Sequence, residues 1–227
     1  MSGGHEFDYF LNGHSPGDGL VKLCIEDIAK SGLSPENLES AEVRIFSGSK
    51  DQLKERLGFA SINGQDILQL CRLIEFPGTD ESGNTSSYSY KIVPSLKDKE
   101  GRDVKYLHPI GKPALPYIHP AVWEVKDKPN KPVWITEGAK KALKLIQHGR
   151  HAIALSGIWN FKAGKNSSEI KSDKNLWAEL EAFQWRGRTV YMGFDGDLWT
   201  NHRVREALYE LAIILYERKA IVRIAQW

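Results

Sequence analysis

The chain has 227 residues, 41% hydrophobic and 26% charged, with a formal net charge of +2. That length holds one large or two small domains, each able to bury a core, and the balance is that of an ordinary globular protein rather than a disordered or fibrous one. No apolar run approaches the roughly 18 residues of a membrane span, and Met1-Ser2-Gly3-Gly4-His5 lacks the charged-then-apolar pattern of a secretory signal, so a cytoplasmic protein without a membrane partner is expected.

Residues 17 to 31 read as a helix, with Leu20, Leu23, Cys24 and Ile28 at helical spacing and Gly32 as its stop. Ser34-Pro35-Glu36 has the form of a cap followed by proline at the first helical position. A strand is expected over Glu42 to Phe46, and a helix from Lys50 to Leu57 ends at Gly58. The run from Ile67 to Phe76 is read as a strand closed by Pro77-Gly78, followed by a polar connection through Ser87. Tyr88, Tyr90 and Ile92 alternate with Ser89, Lys91 and Val93 as in a sheet strand. Cys24 and Cys71 belong to no Cys-x-x-Cys pair and lie in apolar stretches, which predicts buried thiols rather than a disulfide or metal site.

Arg102, Lys105, Tyr106 and His108 then cluster. Basic residues interleaved with an aromatic neutralise phosphates and stack a base on single strands; the same pattern also serves a half-exposed hairpin. Pro116, Pro120, Pro129 and Pro132 mark the expected boundary between an α+β subdomain, residues 1–129, and a second domain, residues 130–227. The first carries a net charge of −4 and the second +6, so basic surface surrounds the acids described next, an arrangement suited to a polyanion.

In the second domain, short apolar runs end in acids that open into helical patterns. Val133-Trp134-Ile135-Thr136 leads to Glu137-Gly138, and Thr189-Val190-Tyr191-Met192-Gly193-Phe194 to Asp195-Gly196-Asp197. Open parallel sheets place ligand-binding residues at these carboxyl ends. If strand geometry persists, Asp195 and Asp197 share a face about 6.6 Å apart. Two such carboxylates repel unless a cation lies between them, and oxygen-only ligation suits Mg2+. Ala139, Ala142, Leu143 and Ile146 form the apolar stripe of a helix whose first turns carry Lys140 and Lys141. His151 to Leu155 is the next strand, and Trp159, Phe161, Lys162 and Lys165 make an aromatic and basic loop after it. A short helix is expected from about Asp173. A longer helix starts near Asn201, His202, Arg203 and Arg205 and continues to Arg218, and a strand runs from Ala220 to Ala225.

Thr136-Glu137-Gly138-Ala139-Lys140-Lys141-Ala142, Ser156-Gly157-Ile158-Trp159-Asn160-Phe161, and Asp195-Gly196-Asp197 with Asn201 and Val204 together resemble the Toprim-like proteins of phages and plasmids. Toprim domains are shared by bacterial-type primases, topoisomerases and some nucleases. The resemblance covers residues 131 to 227 well and 85 to 125 loosely. It implies an α/β fold, a Toprim-like parallel sheet flanked by helices and preceded by a small α+β subdomain. Glu137, Asp195 and Asp197 are implied as the catalytic set, holding Mg2+ or Mn2+. Single-stranded DNA and nucleotides are the implied partners; the candidate contacts, read from their positions in the chain and not from the resemblance, are Lys140, Lys141, Trp159, Lys162, Lys165, Arg203, Lys105 and Tyr106, with a solvated surface or a structural flap as the alternative for the lysines and the loop. In the resembled proteins further acidic residues follow the last strand. The chain is therefore expected to be a piece of a longer polypeptide, with a helicase or polymerase domain as a partner within it. No zinc ribbon of the cellular primases is present.

The activity so implied is metal-dependent nucleotidyl transfer, the making of primers in mobile-element replication. A Toprim nuclease and a non-catalytic nucleic-acid-binding module remain open. A topoisomerase lacks a recognisable tyrosine nucleophile here. A haloacid-dehalogenase-like phosphatase would need Thr or Val where Trp199 stands.

Overall fold

The computed structural model of the chain describes residues 7–163, 176–194 and 200–225. The chain divides into two compact units, residues 1–77 with 88–114 and residues 78–87 with 115–227.

In the first unit, helices α1 (Asp8–Leu11), α2 (Gly19–Lys30) and α3 (Pro35–Ser40) precede strand β1 (Arg44–Ile45) and helix α4 (Lys50–Leu57). The expected Ser34 cap is in place, and two further caps accompany it. The Asp18 carboxylate accepts from Leu20 N–H, Ser34 from Asn37 N–H, and Ser49 forms a capping box with Gln52, each satisfying backbone donors that a helix start leaves unpaired. A two-strand ribbon, β2 (Ser61–Ile62) and β3 (Gln65–Asp66), leads into the one-turn helix α5 (Ile67–Leu70). Then come β4 (Arg72–Thr79), β5 (Thr85–Lys97) and β6 (Asp103–Leu107), which with β1 form a sheet of order β1-β4-β5-β6. Phe46, Leu53, Leu57, Ile67, Leu73, Tyr90 and Ile92 are among its core residues. Cys24 and Cys71 are free and buried, and burial pushes both thiols up to about 12.

The expected strand from Ile67 to Phe76 is corrected at both ends. Asp66 caps the backbone by accepting from Leu68 N–H at 3.0 Å, which turns residues 67–70 into a helical turn. The strand starts only at Arg72 and runs through Pro77-Gly78. Glycine is what lets it continue: a Cβ at Gly78 would stand 2.6 Å from Ser87 Oγ and 3.5 Å from Tyr117 Cα, so the bare backbone admits a close neighbour.

The second unit contains β7 (Tyr117–Ile118), α6 (Pro120–Trp123), β8 (Val133–Glu137), α7 (Ala139–Gln147), β9 (His151–Leu155), α8 (Ala178–Glu181), β10 (Thr189–Gly193), α9 (His202–Glu217) and β11 (Ile221–Ile224). The strands form a sheet of order β11-β10-β8-β9-β7, parallel except for β7, which runs antiparallel to β9. The α/β class expected from the sequence is therefore the class observed. Val133, Ile135, Ile153, Leu155, Val190 and Met192 share one core cluster with Val204, Leu208, Leu211 and Leu215 of α9. The buried Ala139, Ala142 and Leu143 of α7 fall outside that cluster, and α7 packs on β8 and β9; strand alternation gives the sheet these two different faces. The helix expected from about Asp173 is shorter: it begins after Trp177, and Asp173 lies outside the described residues. Among the described residues, no helix is long and apolar enough to cross a membrane.

Candidate catalytic edge of the second unit

Glu137 is the last residue of β8, the central strand of the five, and is half-buried. Its register partner on β9 is Leu155, while Thr136 just before it pairs with Gly193 of β10. All three strands are parallel, so the chain leaves β8, β9 and β10 at one edge of the sheet, with Glu137 in the middle. Asp195 and Asp197 follow Gly193 by two and four positions and lie outside the described residues, as does Lys165.

The turn behind Glu137 depends on Gly138, which has φ 75° and ψ 137° and opens α7 without a side-chain cap. Its N–H donates to Leu155 O at 3.1 Å, tying the exits of β8 and β9 together. A Cβ there would meet nothing within 4 Å, so a side chain is disfavoured by backbone conformation and not by space. Gly138→Ala is expected to cost about 1–3 kcal/mol, measured as a lower denaturation midpoint. Lys140 and Lys141 occupy the first turn of α7 and are half-buried.

After β9 the loop folds back on itself. Ser156 Oγ donates to Leu115 O at 2.8 Å, Asn160 Nδ2 donates to Ser156 O at 2.9 Å, and Phe161 is fully buried. Trp159 stays 39% exposed at the turn, tilted against Phe161 with ring centroids 6.2 Å apart. Lys162 is engaged within the protein: its ammonium pairs with Glu210 of α9 and lies 5.6 Å from the Trp159 ring centroid. Glu210 carries no sequence signal, being 48 positions from its partner. Arg203 is exposed in the first turn of α9, where its N–H donates to the capping Asn201 at 3.1 Å.

The remaining predicted contacts belong to the first unit. Lys105 is exposed on β6, and Tyr106 pairs in register with Lys91, whose ammonium lies 5.2 Å from the phenol ring centroid. Burial pushes the Tyr106 hydroxyl up to about 12, and burial likewise lowers the His108 imidazole below its usual range.

In fold the chain is similar to DnaG-type primase catalytic cores. The Aquifex aeolicus primase, comprising zinc-binding and RNA polymerase domains, aligns with a TM-score of 0.58 at 16% identity, over 92% of this chain and 53% of that one. The DnaG primase catalytic domain bound to single-stranded DNA gives 0.58 at 16% identity, over 96% and 67%, and the E. coli primase catalytic core 0.56 at 16%, over 92% and 66%. A family model described as a domain of unknown function, DUF3854, matches residues 122–227. An uncharacterized protein of Picosynechococcus sp. is 33% identical over 122 residues, which are 51% of this chain and 12% of that protein. The chain thus spans about half of the Aquifex primase structure and about an eighth of the cyanobacterial relative.

Proposed function

We propose that residues 130–227 form a Toprim domain and that the protein is a cytoplasmic primase-type nucleotidyltransferase, making short primers on single-stranded DNA in phage or plasmid replication. The observation that carries this reading is the register at the sheet edge. Glu137 ends β8 between the exits of β9 and β10, and Asp195-Gly196-Asp197 is the first acidic segment beyond β10. The likeness in fold to a primase domain solved on single-stranded DNA supports the same reading. In it, residues 1–129 are the α+β subdomain lining the template path, and a helicase or polymerase domain is the partner within a longer polypeptide.

The donor set fits a hard divalent cation, Mg2+ or Mn2+. Glu137 and the two aspartates offer oxygen alone, and Glu137 is half-buried at the end of β8. When bound, such an ion neutralises charge developing on a transferring phosphoryl group. The chain's own groups do the remainder. Asp195 and Asp197 would hold the ion, and Glu137 would share it or serve as general base for an attacking hydroxyl. The uncapped start of α7 offers backbone N–H groups to a phosphate, and Lys140 and Lys141 add charge beside it. Trp159 stacks a base; Lys165 and Arg203, with Lys105 and Tyr106 in the subdomain, follow the strand.

The test is a labelled single strand incubated with the full chain and Mg2+, with and without nucleotides. Templated product that needs nucleotides and disappears with a chelator is the expected result. Shortening of the strand without nucleotides would replace the primase with a nuclease, and tight binding with neither product would leave a non-catalytic module.

A further inference from the structure

We infer that Glu210 is a positioning residue for the loop after β9: by taking up the charge of Lys162 it fixes Trp159 as a stacking platform for an unpaired base, and Lys162 serves the ring instead of a phosphate. The inference deepens the nucleic-acid reading above and rests on it. The sequence alone makes Lys162 a free cation beside an aromatic, the usual composition of a phosphate contact. The structure gives its ammonium another occupation. It pairs with Glu210 and lies 5.6 Å and 5.7 Å from the ring centroids of Trp159 and Phe161. Both partners of the pair are partly shielded, with side-chain exposures of 28% and 36%.

The loop around this pair is held from several sides. Phe161 is sunk in the core, its carbonyl accepts from Trp177 N–H at 3.1 Å, and Lys162 forms an antiparallel bridge with Leu176. The opposite end is tied by the Ser156 and Asn160 hydrogen bonds described above. Lys162 is the tether to α9, a sixteen-residue helix packed on the sheet. Trp159 thus has the Phe161 ring and the Lys162 ammonium beside it while part of its surface faces solvent. A ring presented in this way loses little freedom when a base stacks on it, which is what a sequence-tolerant single-strand platform requires. Glu210 has a second effect. An unpaired carboxylate beside a phosphate path would repel it, whereas the ion pair is neutral and contributes no counterion release of its own.

The two roles for Lys162 separate in the salt dependence of binding. With the full chain and a fluorescein-labelled oligothymidylate, anisotropy gives the affinity as a function of salt. Glu210→Gln and Lys162→Gln are each expected to weaken binding about tenfold, the scale of one lost base stack. The double variant, which removes both charges of the pair, keeps the slope of log K against log salt of the parent and is no weaker than either single one. A fall of about 0.7 in slope for the double variant is the mark of a lost phosphate contact on a single strand and overturns the inference. So does Glu210→Gln binding as tightly as the parent. The chain has seven tryptophans, so the free-state readout is acrylamide quenching of the difference signal between chains with Trp159 and with Trp159→Phe. Glu210→Gln should raise that quenching, and no change counts against the tether. Should the parent itself fail to bind the oligothymidylate, the nucleic-acid reading and the platform role fall together. Binding by the parent with Glu210→Gln unaffected removes this inference alone.

Discussion

Asp195→Asn is expected to lower metal-dependent primer synthesis by about three orders of magnitude while leaving the melting temperature of the chain nearly unchanged. The size follows from what an ion held at this edge supplies: several kcal/mol of stabilisation for charge on the transferring phosphoryl group, of which about 4 kcal/mol corresponds to about a thousandfold in rate. The amide keeps the shape of the side chain and loses the anionic oxygen that the proposed site would use for the cation. Folding would be little affected, because in that site carboxylates repel one another without a cation and removing one charge relieves as much as it costs. Asp197→Asn and Glu137→Gln are expected to fall in the same range, and excess Mg2+ should recover part of the loss in each. Primer synthesis by Asp195→Asn at the rate of the parent would remove Asp195 from the catalytic set and with it the proposed activity.

The largest effect on stability is expected at Arg188. Its side chain is fully buried just before β10, and the guanidinium donates to four backbone carbonyls: Gln184 O at 2.9 Å, Lys131 O at 2.9 Å, Val125 O at 2.8 Å and Lys126 O at 2.7 Å. The plane lies 5.9 Å from the ring centroids of both Phe183 and Trp185. With the Gln184 N–H bond to Lys126 O at 2.9 Å, this residue ties the segment between α6 and β8 to the turn before β10, next to the paired strands β8 and β10. Arg188→Ala takes the guanidinium donor from Gln184 O and Lys131 O, at about 1–3 kcal/mol apiece, while Val125 O keeps Lys128 N–H and Lys126 O keeps Gln184 N–H; the charge that no longer has to be desolvated offsets part of the loss. A net loss of about 3 kcal/mol, or about 6–12 °C in Tm for a chain of this size, is expected by calorimetry. Arg188→Lys should recover little, since an ammonium cannot reproduce the planar fork that reaches carbonyls on two separate segments. A Tm within about 2 °C of the parent for Arg188→Ala would mean that the segment is held by other contacts.

Several elements are legible in the residues because their causes are local. The helix α4 starts and stops where Ser49, Gln52 and Gly58 dictate, with Gly58 at φ 85°. The order β8, α7, β9 follows from an apolar run, a glycine that alone tolerates φ 75°, and an apolar stripe at helical spacing. The departures arise where a neighbour distant in sequence, or a single cap, outweighs the local pattern. Asp66 turned the expected start of a strand into α5. The proline-rich stretch before β8 gained β7 because Tyr117 and Ile118 find partners in Ala154 and Ile153 of β9. Lys162, one of the basic residues of the loop in the sequence, has its ammonium paired with Glu210 of α9, 48 positions away.

The α/β class, the apolar runs that lead into Glu137 and Asp195, and the excess of positive charge in the half that contains them are all legible along the chain. These depend on residue type and short-range period, which neighbours along the chain carry. That β8 stands between β9 and β10, that Arg188 binds carbonyls 57 to 63 positions away, and that Lys162 pairs with Glu210 emerges from the folded arrangement alone. Such pairings have no periodicity to betray them, because they are selected by the packing of whole elements and by the need of every buried polar group for a partner.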